Sequence, residues 1–256
     1  YANKLIADGN YLYLSSHEQT KYPFEAFDIS DPLHLKRVGG ISIFEPSVFA
    51  CAIRSIILKD GYVYGPSETC NLSIDVTDPR KPAISDRVDG LNNPINADVS
   101  GNLLATVGGQ QLQLMDISNP SDMKLLAVME INSIGEAVAF LDPATLLLSA
   151  QDGIWTVDVS DPSNPKKTSS LAISGNIMSF YVDDKTVYMC TLGNGIQIVD
   201  VSNPNNLSII GTVPVLGIAY DCFVQGDLML VTDSFAGLCI YQKMTGNADS
   251  DTANLA

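Results

Sequence analysis

Five near-copies of one octet set the limits on how this chain folds: "DISDPLHL" from Asp28, "DVTDPRKP" from Asp75, "DISNPSDM" from Asp116, "DVSDPSNP" from Asp158 and "DVSNPNNL" from Asp200. The steps between their first aspartates are 47, 41, 42 and 42 residues. A regular period of this length marks an array of equal structural units, each packed on its neighbours. Aligning "GNGIQIVDVSNP" from Gly193 with "FAGLCIYQKM" from Phe235 adds a sixth copy, in which Gln242 takes the aspartate position and the serine and proline are gone.

Each unit reads as four short strands. In the fifth these are "MSFYVDD", "TVYMCTL", "GIQIVDVS" and "LSIIGTVPV", rich in Val, Ile, Leu and Tyr and separated by Gly, Asn, Asp and Pro. That is strand-and-turn chemistry, and no segment sustains a 3.6-residue period, so the chain is predicted to be all-β. The third strand of a unit is apolar on both faces: Ile196 and Ile198 oppose Val199 and Val201, and Leu112 and Leu114 oppose Met115 and Ile117. A strand apolar on both faces is covered on both faces. Four-stranded units of this length, each sandwiched between neighbours, predict a β-propeller. The expected count is six four-stranded blades with the last incomplete, and seven is the alternative. One domain is expected over residues 1–244, followed by a polar, disordered or linker tail, "TGNADSDTANLA", over 245–256. The sequence opens at Tyr1 without a leader and reads as a processed or trimmed product.

The octet falls between strands three and four. Its Asp is expected to accept the backbone N–H two residues on, and Pro32, Pro79, Pro120, Pro162 and Pro204 to fix φ in the turn that follows. Five metal-binding copies are the rival reading. It fails because ligands must converge, whereas blades spread their copies around a ring.

"IQIVDVSNPNNLSIIGTV" and "IWTVDVSDPSNPKKTSSL" resemble the LVIVD repeat, a β-propeller repeat of bacterial and archaeal cell-surface or exported proteins. The resemblance covers five units well and the sixth in part. Units one and two depart from it with "EAFDISDP" and "LSIDVTDP", and unit six lacks the aspartate. It implies the propeller fold and an extracytoplasmic setting, whether cell surface, secreted or periplasmic, and it carries over no catalytic residues.

A net charge of −15 repels phosphate backbones and anionic lipid, so neither nucleic acid nor a membrane is an expected partner. The longest apolar runs are too short for a membrane span. Cys51, Cys70, Cys190, Cys222 and Cys239 are an odd, scattered set, expected as small buried residues rather than a disulfide scaffold. "NLS" at Asn71 and at Asn206 are glycosylation sequons only in a secreting eukaryote.

Irregularity concentrates in the first two units, and insertions in repeat proteins tend to map to a binding face. The loops from strand two to three and from four to one there carry His17, Glu18, Tyr22, Phe24, Phe44, Glu45 and Glu68. Asp152, Asn194 and Asp233 occupy the corresponding loops of units four to six, where they would ring the channel mouth or cap turns. Trp155 is expected to pack between blades. The function expected is a non-catalytic module binding a protein or glycan. The alternative is a metal-assisted hydrolase or lactonase drawing on Glu18, Glu45, Glu68, Asp98, Asp152 and Asp233. No cofactor is expected, and calcium is the ion such carboxylates would suit.

Overall fold

A computed structural model describes residues 2–16, 22–42, 52–67, 69–90, 93–131, 135–150 and 152–242. All regular structure in them is antiparallel β, in six sheets that follow chain order. Blade 1 holds β1 (Ala2–Asp8), β2 (Tyr11–Ser16), β3 (Phe24–Asp28) and β4 (Lys36–Ile41). Blade 2 holds β5 (Ile57–Lys59), β6 (Tyr62–Pro66), β7 (Cys70–Asp75) and β8 (Ala83–Asp89). Blade 3 runs through β9 (Pro94–Ser100), β10 (Leu103–Gly108), β11 (Gln111–Asp116) and β12 (Lys124–Glu130). Blade 4 has β13 (Val138–Asp142), β14 (Thr145–Ala150), β15 (Gly153–Asp158) and β16 (Lys166–Ala172). Blade 5 has β17 (Ile177–Asp183), β18 (Thr186–Thr191), β19 (Gly195–Asp200) and β20 (Ser208–Val213). Blade 6 shows three strands among the described residues: β21 (Ala219–Gln225), β22 (Leu228–Asp233) and β23 (Gly237–Gln242). The molecule is a six-bladed β-propeller, with the first strand of each blade innermost.

Five apolar cores hold it together, one at each joint between successive blades. Tyr13, Phe24 and Ala26 of blade 1 meet Ile53, Val63, Leu72 and Ile74 of blade 2. Tyr64 packs with Leu104 and Met115 between blades 2 and 3. Leu112 and Leu114 meet Leu146 and Leu148 between blades 3 and 4. Leu147 and Ile154 meet Val187 and Met189 between blades 4 and 5, and Cys190 and Ile196 meet Cys222 and Val231 between blades 5 and 6. Third strands are apolar on both faces because each face feeds a different one of these cores.

The octet is a turn, as its residues require. Oδ1 of Asp28, Asp75, Asp116, Asp158 and Asp200 accepts the N–H two residues on at 2.8–2.9 Å in every blade that has the motif. The second acidic or amide residue (Asp31, Asp78, Asn119, Asp161 or Asn203) repeats the arrangement at 3.1 Å. One side-chain oxygen of each of these residues is thereby engaged by its own turn. A bulge follows in each fourth strand: Val38, Ser85, Leu126, Thr168 and Ile210 are extra residues with no partner in the third strand.

Cys70, Cys190 and Cys222 are buried and Cys239 is half-buried, while Cys51 lies outside the described residues. The sequon at Asn71 is a strand interior: Asn71 is fully buried in β7 and donates across the joint to Thr106 Oγ1 at 3.1 Å. No glycan reaches it in the folded chain.

Candidate binding site

The described residues that converge are not the loop residues singled out by sequence; they are the starts of the innermost strands. A strand packed on a neighbour normally alternates one side chain in and one out. In four blades that alternation is broken near the beginning of the first strand by a single extra residue. Ala2 and Lys4 pair with the adjacent Ser16 and Ser15, leaving Asn3 unopposed. Pro94 and Asn96 pair with Gly108 and Val107, leaving Ile95. Ile177 and Ser179 pair with Thr191 and Cys190, leaving Met178. Ala219 and Asp221 pair with Asp233 and Thr232, leaving Tyr220. Bulges re-aim side chains, and all four extra residues turn into one cavity of about 460 Å³ at the mouth of the axial channel.

The residue after each bulge shares that cavity, so Lys4, Asn96, Ser179 and Asp221 stand at equivalent register positions in blades 1, 3, 5 and 6. Arg54, Ser55 and Thr232 complete the polar lining. A second cavity of about 290 Å³ continues along the axis past Lys4, Ser55, Asn96 and Ser179 to Asp98.

The wall is held by its own hydrogen bonds. Asn3 Nδ2 donates to the Ile53 carbonyl at 3.0 Å, fixing its bulge against blade 2. The Asp221 backbone N–H donates to Thr232 Oγ1 at 3.0 Å, and Asp221 Oδ1 accepts from the Cys222 N–H at 3.0 Å. Lys4 Nζ reaches Asp221 Oδ2 at 3.4 Å, spanning blades 1 and 6. Both partners are over two-fifths exposed, so this pair contributes at most about 1 kcal/mol and separates readily when a ligand competes for either group. Deeper in, Asp98 Oδ2 accepts the Phe140 N–H at 2.7 Å and Oδ1 accepts the Val99 N–H at 2.8 Å. Burial pushes the Asp98 carboxyl above its ordinary pKa, against the two N–H donors and the positive charge of Lys4.

The residues expected at the loop face divide into three groups. His17, Glu18, Phe44, Glu45 and Glu68 lie outside the described residues. Phe24 is the first residue of β3 and fully buried, stacked on Tyr13 at 5.9 Å between ring centroids, so it belongs to the core of blade 1 and not to an exposed face. Tyr22 is half-buried beneath the Arg37 guanidinium, 3.7 Å from its ring centroid.

Asp152, Asn194 and Asp233 spend their side chains within their own blades. Asp152 accepts Trp155 Nε1 at 2.9 Å, and Lys167 covers that half-buried indole. Asn194 donates to the Ser174 carbonyl at 2.6 Å. Asp233 accepts from Phe235 and Ala236 N–H through Oδ1 and from Gly217 N–H through Oδ2, which hold its carboxyl below the ordinary range. A Cβ on Gly217 would lie 2.5 Å from Ser234 Oγ and 2.7 Å from Asp233 Oδ1, so a larger residue there would have to displace both side chains. None of the three lines the axial cavity. Among the described residues, no group of three His, Cys, Asp or Glu side chains is placed to share a metal ion.

The LVIVD repeat profile matches residues 96–129, 150–172 and 166–215, which are the repeats of blades 3, 4 and 5. No curated protein sequence matches the chain. Among solved structures, a protein from Lactobacillus plantarum superposes with a TM-score of 0.78 at 12% identity, covering 95% of this chain and 81% of that one. A chain of the mitotic checkpoint complex superposes at 0.77 and 11% identity, covering 94% of this chain and 74% of that one. The computationally designed protein Ika8 superposes at 0.70 and 11% identity, over 94% and 70%. At such identities the likeness is one of fold.

Proposed function

We propose, from the premise that blades 3 to 5 of this chain are LVIVD repeats, that the protein is a non-catalytic binding module, exported or displayed at the cell surface, which holds a glycan at the mouth of its axial channel. The observation that carries the reading is the recurrence of one bulge in the innermost strands of blades 1, 3, 5 and 6, each delivering a side chain to the same cavity. A propeller needs no such irregularity to pack.

The chemistry of the lining favours a sugar. Tyr220 is 50% exposed and offers a flat apolar face with a polar tip, on which the C–H face of a pyranose stacks. Around it, Asn3, Asn96, Arg54, Ser55 and Asp221 offer donors and acceptors spaced for hydroxyls. Few convergent polar groups beside an aromatic, in a largely preformed concavity, is the usual composition of a small-ligand site. Apart from Arg54 and Ser55, which precede β5, the polar channel residues sit on strands rather than on loops, which favours recognition over induced closure.

A glycan array followed by calorimetric titration tests this. The full chain is expected to bind a defined oligosaccharide, and Tyr220→Ala and Asn96→Ala are each expected to weaken it about tenfold or more, roughly 1.4 kcal/mol, without moving the unfolding midpoint. An array without a binder, or a binder indifferent to both substitutions, would overturn the reading.

A further inference from the structure

We propose that Cys190 and Cys222 form a disulfide that fastens blade 6 to blade 5 behind the channel mouth. Cys190 is the fifth residue of β18 and Cys222 the fourth of β21, and both side chains lie in the core between the two blades. In the structure they are thiols, buried and hydrogen-bonded to one another. Cys222 Sγ is also 3.9 Å from the Tyr188 carbonyl oxygen, which places it over the stretch of β18 that carries Cys190. Stacked sheets stand about 10 Å apart, too far for a bridge whose Cα atoms lie roughly 4.4–6.8 Å apart. β18 and β21 lie on the inner side of their blades, where neighbouring blades converge, and their Cα atoms approach within 8 Å. A bridge there asks for little backbone movement.

The repeat itself does not require cysteine at either place. The position of Cys190 is held by Ser15, Val107, Ser149 and Thr232 in blades 1, 3, 4 and 6, and that of Cys222 by Leu5, Ala97 and Phe180 in blades 1, 3 and 5. Among these positions cysteine stands only at the joint of blades 5 and 6, once on each side of it. Cys239, which borders the same core, is out of reach of Cys222: Val231 stands between them in the register of β21, β22 and β23. Two strand spacings, about 10 Å, therefore separate the two residues, beyond the span of a disulfide. Blade 6 is also a blade that such a bond would secure, because it contributes to one of the five joint cores whereas each of blades 2 to 5 contributes to two. The bridge would close the 32 positions from 190 to 222 into a loop and so restrict the unfolded chain.

Fastening this joint fixes the width of the mouth. Ser179 pairs with Cys190 across β17 and β18, and Asp221 immediately precedes Cys222, so the two sulfurs lie behind two residues that line the cavity. The oxidant is a low-molecular-weight or protein disulfide, of the kind available in the extracytoplasmic setting proposed above. Because the docked joint is buried, exchange precedes the docking of blade 6. The thiolate of one cysteine attacks a sulfur of the oxidant, breaking its S–S bond and releasing one thiolate; the thiolate of the other cysteine then attacks the mixed disulfide at the first cysteine's sulfur and releases the second. Two cysteine S–H bonds and one oxidant S–S bond become one cysteine S–S bond and two oxidant S–H bonds, with two electrons passing from the cysteines to the oxidant.

Refolding of the full chain in a glutathione redox buffer, followed by alkylation under denaturing conditions and peptide mapping without reductant, tests the bridge. The expected result is a cross-linked peptide joining Cys190 to Cys222, together with a thermal midpoint roughly 4–16 °C above that of the chemically reduced chain. Cys190→Ser and Cys222→Ala introduce residues that the repeat already uses at Ser149 and Ala97, so both variants are expected to fold. In each of them the cross-link should be absent and the gain in midpoint lost. Recovery of both cysteines alkylated at every glutathione ratio, their capture in bridges to other cysteines, or an equal gain in midpoint in both variants would overturn the proposal. None of these results depends on whether the channel mouth binds a glycan.

Discussion

The contrast between two leucines at one repeat position gives the most exacting test of how the blades cohere. Leu112 and Leu238 are each the second residue of a third strand. Leu112 is fully buried in the core between blades 3 and 4, among Ala105, Leu146 and Leu148. Leu238 is 62% exposed on the face of blade 6 turned away from blade 5. Replacing a fully buried leucine by alanine loses the transfer free energy of the removed carbons and leaves a cavity, together about 2–5 kcal/mol. Burying a whole leucine side chain is worth about 1.5–3 kcal/mol, so the buried third of Leu238 accounts for about 1 kcal/mol or less. For a chain of this size each kcal/mol moves the thermal midpoint by about 2–4 °C, so Leu112→Ala should lower it by roughly 4–20 °C and Leu238→Ala by no more than about 4 °C. Urea unfolding followed by the fluorescence of Trp155, the only tryptophan, gives the same comparison at constant temperature. The midpoint should fall at unchanged slope if stability alone is altered. Equal losses for the two substitutions would refute the assignment of one core to each joint, because they would mean that the far face of blade 6 is as buried as an inner joint.

Other consequences follow from the polar groups. Asp98→Ala strands the Phe140 N–H at the joint between blades 3 and 4 and should cost about 1–3 kcal/mol. Because burial raises the Asp98 pKa, its contribution is fullest below the unfolded value and declines as pH rises through the folded one, so the urea-measured loss should be larger near pH 4.5 than near pH 8. The turn acids run the other way. Hydrogen bonds from Ser30, Ser160 and Ser202 hold Asp28, Asp158 and Asp200 below their ordinary 3.8, so their contribution is present above that value and is lost as pH falls through the lower folded pKa. Replacing all three by asparagine, which makes the equivalent side-chain-to-backbone bond at the second position of the octet in Asn119 and Asn203, should preserve the fold at neutral pH and blunt acid unfolding as followed by circular dichroism. Among Cys70, Cys190, Cys222 and Cys239, a thiol reagent mapped by mass spectrometry should label Cys239 first in the native protein; early labelling of Cys70 would contradict its burial.

What the sequence revealed was whatever depends on near neighbours. The octet could be read as a turn because its hydrogen bonds run from a side chain to a backbone two residues away. The apolar runs around Leu112 and Ile196 could be read as doubly covered strands because both faces are spelled out in consecutive letters. The channel mouth escaped because a bulge is a property of a pair of strands: nothing around Met178 or Tyr220 shows that Thr191 and Cys190, or Asp233 and Thr232, oppose two residues separated by a third. The signal that was available lies in the repeat alignment, where Lys4, Asn96, Ser179 and Asp221 place a polar residue at one register position of four first strands. Phe24 misled for a related reason. The long connection of blade 1 reads as loop up to that residue, and only pairing with Ser15 makes it the first residue of a strand. The sequon at Asn71 is a three-residue pattern, whereas its burial is imposed by Thr106 and Met115 in the next blade.

A crystal structure of the full chain with the oligosaccharide selected by the array would test the central claim most directly. The sugar is expected in the channel mouth, stacked on Tyr220 and hydrogen-bonded to Asn3 or Asn96, with the Lys4 to Asp221 pair opened or re-formed around it. A sugar seated on the outer edge of the blades, with the channel mouth empty, would contradict the account.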